Sequence, residues 1–211
     1  MLVLGLCGGS GSGKNLLGNA LSSFGFSVLD TDALYHTLVC GDTPLSREII
    51  GYFGVSVRSR DGGIDRAALS SLVFGDSPEK IEAHAALNRM AHAAVLRECR
   101  LWLAKEEAKG ASVAVINAPL LFESGFHLEC DLTLAVLAPR ELRLARITAR
   151  DGITKEQAER RLAAQLSDEY LAEHTDLQLY NDGTEEVLFE RARALTETIK
   201  TIAKEKNHGK E

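Results

Sequence analysis

Gly8-Gly9-Ser10-Gly11-Ser12-Gly13-Lys14-Asn15 satisfies the spacing Gly-x-x-x-x-Gly-Lys. It stands between the apolar run Leu2-Val3-Leu4-Gly5-Leu6 and a stretch over 16–24 in which Leu17, Leu21 and Phe24 recur at helical spacing. Strand, glycine-rich turn and helix in that order form a phosphate cradle. Four glycines let successive backbone NH groups turn inward without Cβ clashes, and the start of the following helix adds partial positive charge. The candidate nucleotide-binding residues are therefore Gly9, Ser10, Gly11, Ser12, Gly13, Lys14, Asn15 and Leu16. Lys14 is placed to reach the outer phosphates as a point charge. Asn15 follows the lysine where a hydroxyl residue ordinarily ligates magnesium, so the candidate metal ligand here is an amide oxygen, neutral and longer in reach.

Working outward, residues 2–6 read as a buried strand, and a helix from Lys14 ends at Phe24-Gly25. Residues 26–29 read as a second strand running into Asp30-Thr31-Asp32. Such a βαβ unit is right-handed, which brings the carboxyl ends of both strands to the edge that carries the phosphate loop. With the chain extended there, Asp30 and Asp32 would point to one side. Asp32 is the candidate general base, and its alternative reading is an N-cap for a helix starting at Ala33. Residues 33–39 and 46–53 read as short helices, 58–63 as a turn, and Asp65 as the N-cap of a helix over 66–74. Ser77-Pro78 opens another helix, and 87–109 reads as a separate long one. Its apolar stripe of Leu87, Ala91, Val95, Cys99 and Trp102 reads as core, with Gly110 ending it. Residues 36–105, roughly, thus form a helical insertion suited to a second substrate.

Residues 112–116 and 132–137 are short apolar runs, as expected of central parallel strands. After Pro139 a helix carries Arg143, Arg146 and Arg150 along one face, either a phosphate clamp or a solvated basic surface. Asp151-Gly152 breaks it, and Thr154-Lys155-Glu156-Gln157 is a capping box that starts a helix through Ser167, with Arg161 and Gln165 on one face. This arginine-rich hairpin, about 140–168, reads as a lid that excludes water. A last strand over 177–180, a turn at Asn181-Asp182-Gly183, a helix over 185–204 and a frayed tail from 205 complete the chain. The fold expected is α/β: a P-loop three-layer architecture, a parallel sheet flanked by helices, in a single domain with a helical substrate lobe and a lid.

The composition narrows the partners. A chain of 211 residues with 45% hydrophobic content suits one large domain. The net charge of −6 leaves no broad basic surface for nucleic acid. Cys7, Cys40, Cys99 and Cys130 lie far apart, as reduced thiols of a cytoplasmic protein would. No apolar run reaches membrane-spanning length, and no leader is expected ahead of a strand that starts at Leu2. No oligomeric state is legible.

A phosphate cradle, a carboxylate after the next strand, a helical lobe and an arginine lid together describe phosphoryl transfer to a small acceptor. At these motifs the sequence resembles the dephospho-CoA kinase family along almost its whole length. The phosphate loop and Val28-Leu29-Asp30-Thr31-Asp32 are similar to that family's nucleotide loop and Asp-x-Asp segment. Asp65-Arg66-Ala67-Ala68-Leu69 with Val73-Phe74, then Leu87-Asn88 with His92, resemble its substrate lobe. Pro119-Leu120-Leu121-Phe122-Glu123, Arg146, Arg150 with Asp151, Ala163-Ala164-Gln165 and Asn181-Asp182-Gly183 follow in the family's order. The resemblance implies ATP and Mg2+, with the γ-phosphate passing to the ribose 3′-hydroxyl of dephospho-CoA in the last step of coenzyme A biosynthesis. It also implies Asp32 as base, Lys14 and Arg146 as catalytic cations, and Arg150, Gln165 and Asn181 on the nucleotide. Asn15, Asn117 and Ala93 depart from the family pattern, which usually has a hydroxyl, often an aspartate, and commonly a proline there. Two other readings stay open: a nucleotide-binding module with weakened catalysis, and a P-loop kinase for another small hydroxyl acceptor.

Overall fold

The computed structural model describes residues 1–208. The chain divides into two compact units, Met1–Asp30 with Leu103–Glu211, and Thr31–Trp102.

The first unit is built on five parallel strands in the order β2-β3-β1-β4-β5. These are β1 (Leu2–Cys7), β2 (Ser27–Asp30), β3 (Val113–Asn117), β4 (Leu132–Leu137) and β5 (Leu177–Tyr180). Both faces are covered, which is why the central strands read as continuous apolar runs. On one face Leu2, Leu4, Leu6, Val113, Val115, Leu134 and Val136 form a single core with Leu17 and Leu21 of α1 (Lys14–Ser23) and Leu188, Ala192 and Ile199 of α9 (Glu185–His208). The alternate residues Ala114, Ile116, Ala135 and Leu137 are buried on the other. Although β2 follows β1 in sequence, β3 lies between them. The register pairs Leu6 with Asn117 and Asn117 with Asp30, so these three residues end neighbouring strands side by side at one edge of the sheet.

After β4 comes α6 (Arg140–Asp151), capped by Gly152 in the left-handed conformation, then α7 (Lys155–Ala163) and α8 (Asp168–His174). The capping box at Thr154 and Gln157 starts α7 as expected. The helix does not reach Ser167, however. Ala164 caps its end, and Ser167 accepts from the Tyr170 amide at 3.1 Å to open α8. Gln165 therefore lies off the helix and shares no helical face with Arg161. The last helix runs on to His208, so 205–208 are helical, and the rest of the expected frayed tail lies outside the described residues.

The second unit is helical and has its own core of Val39, Leu45, Ile49, Val57, Leu69, Val73 and Leu87. It holds α2 (Thr31–Leu38), α3 (Pro44–Phe53), α4 (Arg66–Val73) and most of α5 (Pro78–Ala108). Asp65 caps α4 by accepting from the amides of Ala67 and Ala68, both at 3.0 Å. Three expectations are corrected. The helix α2 begins at Thr31, so the chain is not extended over 30–32, and Asp32 is an exposed residue inside the first turn rather than an N-cap. The two helices expected after Ser77 are one, because no glycine or proline interrupts the chain between Pro78 and Gly110. Trp102 is half-buried rather than fully enclosed.

Candidate active site

The phosphate loop joins β1 to α1 and is fixed by its carbonyls. The Gly9 carbonyl accepts from the Ser12 amide at 3.1 Å, and the Gly13 carbonyl from the Leu17 amide at 3.0 Å. The three between are held by side chains from elsewhere. Arg143 Nε donates to Ser10 O at 2.9 Å, Arg146 Nη1 to Gly11 O at 3.1 Å, and Asn181 Nδ2 to Ser12 O at 2.7 Å. Five successive carbonyls thus have a donor. A peptide whose C=O is held on one side presents its N–H to the other, so the grip builds an anion nest from behind. Two glycines follow from the same packing. A Cβ on Gly13, which has φ 94°, would lie 2.1 Å from Asn181 Nδ2, and one on Gly9 would lie 2.1 Å from Arg143 Nη2.

At the helix end of the loop, Lys14 is buried, and a buried ammonium needs acceptors. Its Nζ donates to Asn117 Oδ1 and, at 3.1 Å, to Asn15 Oδ1. Asn117, only 2% exposed, donates from Nδ2 to Asn15 Oδ1 at 3.3 Å and to Asp30 Oδ2 at 3.4 Å. The strand register explains the cluster, because it sets Asn117 beside Asp30 at the carboxyl ends of β3 and β2. A cleft beyond the carboxyl ends of parallel strands is where open α/β sheets bind ligands.

The remaining expected residues fall in distinct places. Leu16 lies half-buried in the first turn of α1 and packs on the core. Gln165 Oε1 accepts from the Ser10 amide at 2.8 Å, so it meets the loop on an N–H, the group a phosphate would use. Arg146 also reaches Asn181 O and Oδ1, each at 3.4 Å. Arg150 is not on the loop. It forms a forked pair with Asp151, at 2.7 and 2.9 Å, which holds that carboxyl below its ordinary range and raises the guanidinium. Arg161 joins the same carboxylate at 2.8 Å. Asp32 belongs to the helical unit, in the first turn of α2.

Beside Gly8 and Gly9, a cavity of about 10 Å3 is lined by Cys7, Pro119, Phe122, Glu123 and Gln165, room for about one water molecule. Burial pushes the Cys7 thiol up to about 12, against the lowering effect of Lys14, so this sulfur stays protonated and inert. The Ser12 hydroxyl is buried in the loop without a hydrogen-bond partner among the described residues. Sequence reasoning left Arg143 undecided between clamp and solvated face, although its position two turns before Arg150 placed it on the right side of α6. It gave Asp30 no role, for that needs the strand order.

A parallel sheet with the loop at the carboxyl end of β1, and a lysine beside it, defines the P-loop nucleoside-triphosphate-binding fold. The dephospho-CoA kinase family model matches residues 2–186, and the chain belongs to that family, which makes it a kinase, a phosphotransferase acting on a hydroxyl. It is 37% identical over 191 residues to the dephospho-CoA kinase of Geobacter sulfurreducens, covering 90% of this chain and 95% of that one. Among solved structures, a Thermus thermophilus protein superposes with a TM-score of 0.76 at 33% identity, covering 92% of this chain and 95% of the other. A dephospho-CoA kinase from Campylobacter jejuni shares the fold, with a TM-score of 0.71 at 21% identity over 94% and 97% of the two chains.

Proposed function

We propose that this chain transfers the γ-phosphate of ATP to the ribose 3′-hydroxyl of dephospho-CoA, with the Gly9–Gly13 loop as the polyphosphate site. The observation that carries the reading is the set of three successive loop carbonyls, Ser10, Gly11 and Ser12, held by side chains from elsewhere, with Lys14 at the end of the loop. The transition state spreads charge over the transferred group's oxygens, and what it needs from protein is fixed donors and cations. The loop amides supply the donors. Lys14 leaves its amide acceptors for the outer phosphates, Arg146 adds charge at the Gly11 side, and Asp32 takes the proton of the acceptor hydroxyl. Gln165 and Asn181 border the nucleotide at Ser10 and Ser12, and Arg150 stands on the lid segment 140–168. Residues 36–105 serve as the acceptor lobe of the one kinase domain. The protein works in the cytoplasm on these small molecules, without nucleic acid or membrane. No described helix is long and apolar enough to cross a membrane.

Magnesium fits the donor set. Among the described residues no three His, Cys, Asp or Glu side chains gather to cage a metal. Magnesium needs no such cage when phosphates and waters supply most of its ligands. Asn15 Oδ1 and Asp30 Oδ2 flank the same amide, Asn117 Nδ2, and are the oxygens that would hold the ion. When bound, it neutralises phosphate charge.

The test is product analysis after incubation with ATP and magnesium across dephospho-CoA, nucleosides and nucleotides. The expected result is a single phosphate gained by dephospho-CoA at the 3′-oxygen, with Asp32→Asn lowering kcat by about 10² to 10⁴. Preferential transfer to another hydroxyl makes this a kinase of different acceptor, and tight ATP binding without transfer makes it a binding module.

A further inference from the structure

Arg143 has no role in the reaction as described, yet it is the most enclosed arginine of α6, with its side chain 7% exposed. A guanidinium so buried needs its donors matched. They are matched on two sides: Nε to Ser10 O at 2.9 Å, and Nη1 to the carboxylate of Asp168 in the first turn of α8. The side chain therefore spans from the phosphate loop to the segment that follows Gln165, which itself reaches the neighbouring Ser10 amide. The backbone of Arg143 also lines the loop, since a Cβ on Gly11 would lie 2.7 Å from Arg143 O.

Gly9 makes the dependence specific. Its φ lies outside the left-handed range, so the backbone strain that reserves Gly8, Gly11 and Gly13 for glycine does not apply to it. What forbids a side chain there is space, and every atom nearest a Cβ at that position belongs to the Arg143 guanidinium. We propose that Arg143 is a positioning residue for phosphoryl transfer. Braced by Asp168, it holds the Ser10 carbonyl outward so that the adjoining amides face the nucleotide, and it is the reason position 9 must be glycine. A lysine cannot do the same, because one ammonium lacks the planar fork that serves carbonyl and carboxylate together. The inference rests on the loop being the nucleotide site.

The experiment is a double-mutant cycle read by ADP affinity, with kcat and KM for ATP alongside. Arg143→Ala and Arg143→Lys should each weaken ADP by about ten- to a hundredfold, the value of a charge-assisted hydrogen bond, and raise KM more than they lower kcat. Gly9→Ala should be as harmful in the native background and nearly harmless with Arg143→Ala, where the methyl group enters vacated space. A general loss of stability would not produce that cancellation. Should Arg143→Ala fail to fold, Arg143→Lys carries the same comparison. An equal penalty for Gly9→Ala in both backgrounds, or native ADP affinity without Arg143, overturns the inference while leaving the site intact. An unmodified protein that binds no ADP removes the site and the inference together.

Discussion

The back of the phosphate loop and the lysine at its end are both held by asparagine amides, joined at the back by two arginines, but what they hold differs. At the back, Arg143, Arg146 and Asn181 grip backbone carbonyls of Ser10, Gly11 and Ser12. At the end, Asn15 and Asn117 grip the Nζ of Lys14. A carbonyl held by a buried side chain, as Ser10 is by Arg143 and Ser12 by Asn181, is shielded from competing water and stays where it is. The bonds from the ammonium to these two amide oxygens can be exchanged for bonds to phosphate, whose full negative charge adds a Coulomb attraction that a neutral oxygen lacks. The first region is scaffold and the second is reagent.

That contrast orders the expected effects. Lys14→Ala removes the reagent from an intact scaffold and should cost about 10² to 10³ in kcat, as loss of one transition-state donor does, with little change in ADP affinity. An equal loss of ADP affinity would show that Lys14 is part of the scaffold. Asn15→Ser changes one of the two amides. It should raise kcat and sharpen magnesium dependence by less than about tenfold, the scale of one hydrogen bond, and a slower serine variant would show the site adapted to the amide. Arg150→Ala should matter least. Its pair with Asp151 is exposed and lies off the loop, so a change in kcat/KM within about twofold is expected, and a large loss would place Arg150 on the nucleotide after all.

The same contrast explains how much the sequence disclosed. The loop, its lysine and the strands over 2–6 and 132–137 were legible because glycine spacing and apolar runs are local signals. The carbonyl grip was not, since Arg143 meets Ser10 across 133 positions of chain and its helical spacing fits a solvated face equally well. The sequence places Asp30 near the loop's edge of the sheet, but its contact with Asn117 depends on β3 lying between β2 and β1, which no local pattern encodes. The expectation of an extended chain at Asp32 failed because a helix starts one residue earlier, at Thr31. Gln165 was placed on a helix because the capping box marks where α7 starts, whereas Ala164 and Ser167 carry no stop as loud as glycine.

A structure of the protein with a non-hydrolysable ATP analogue tests the distinction between scaffold and reagent most directly. The account predicts that Lys14 Nζ leaves Asn117 for the outer phosphates and Gln165 leaves the Ser10 amide, while the bonds from Arg143 to Ser10 and from Asn181 to Ser12 are unchanged. Lys14 still seated on Asn117 with nucleotide bound, or a loop released from Arg143 and Asn181, would contradict it.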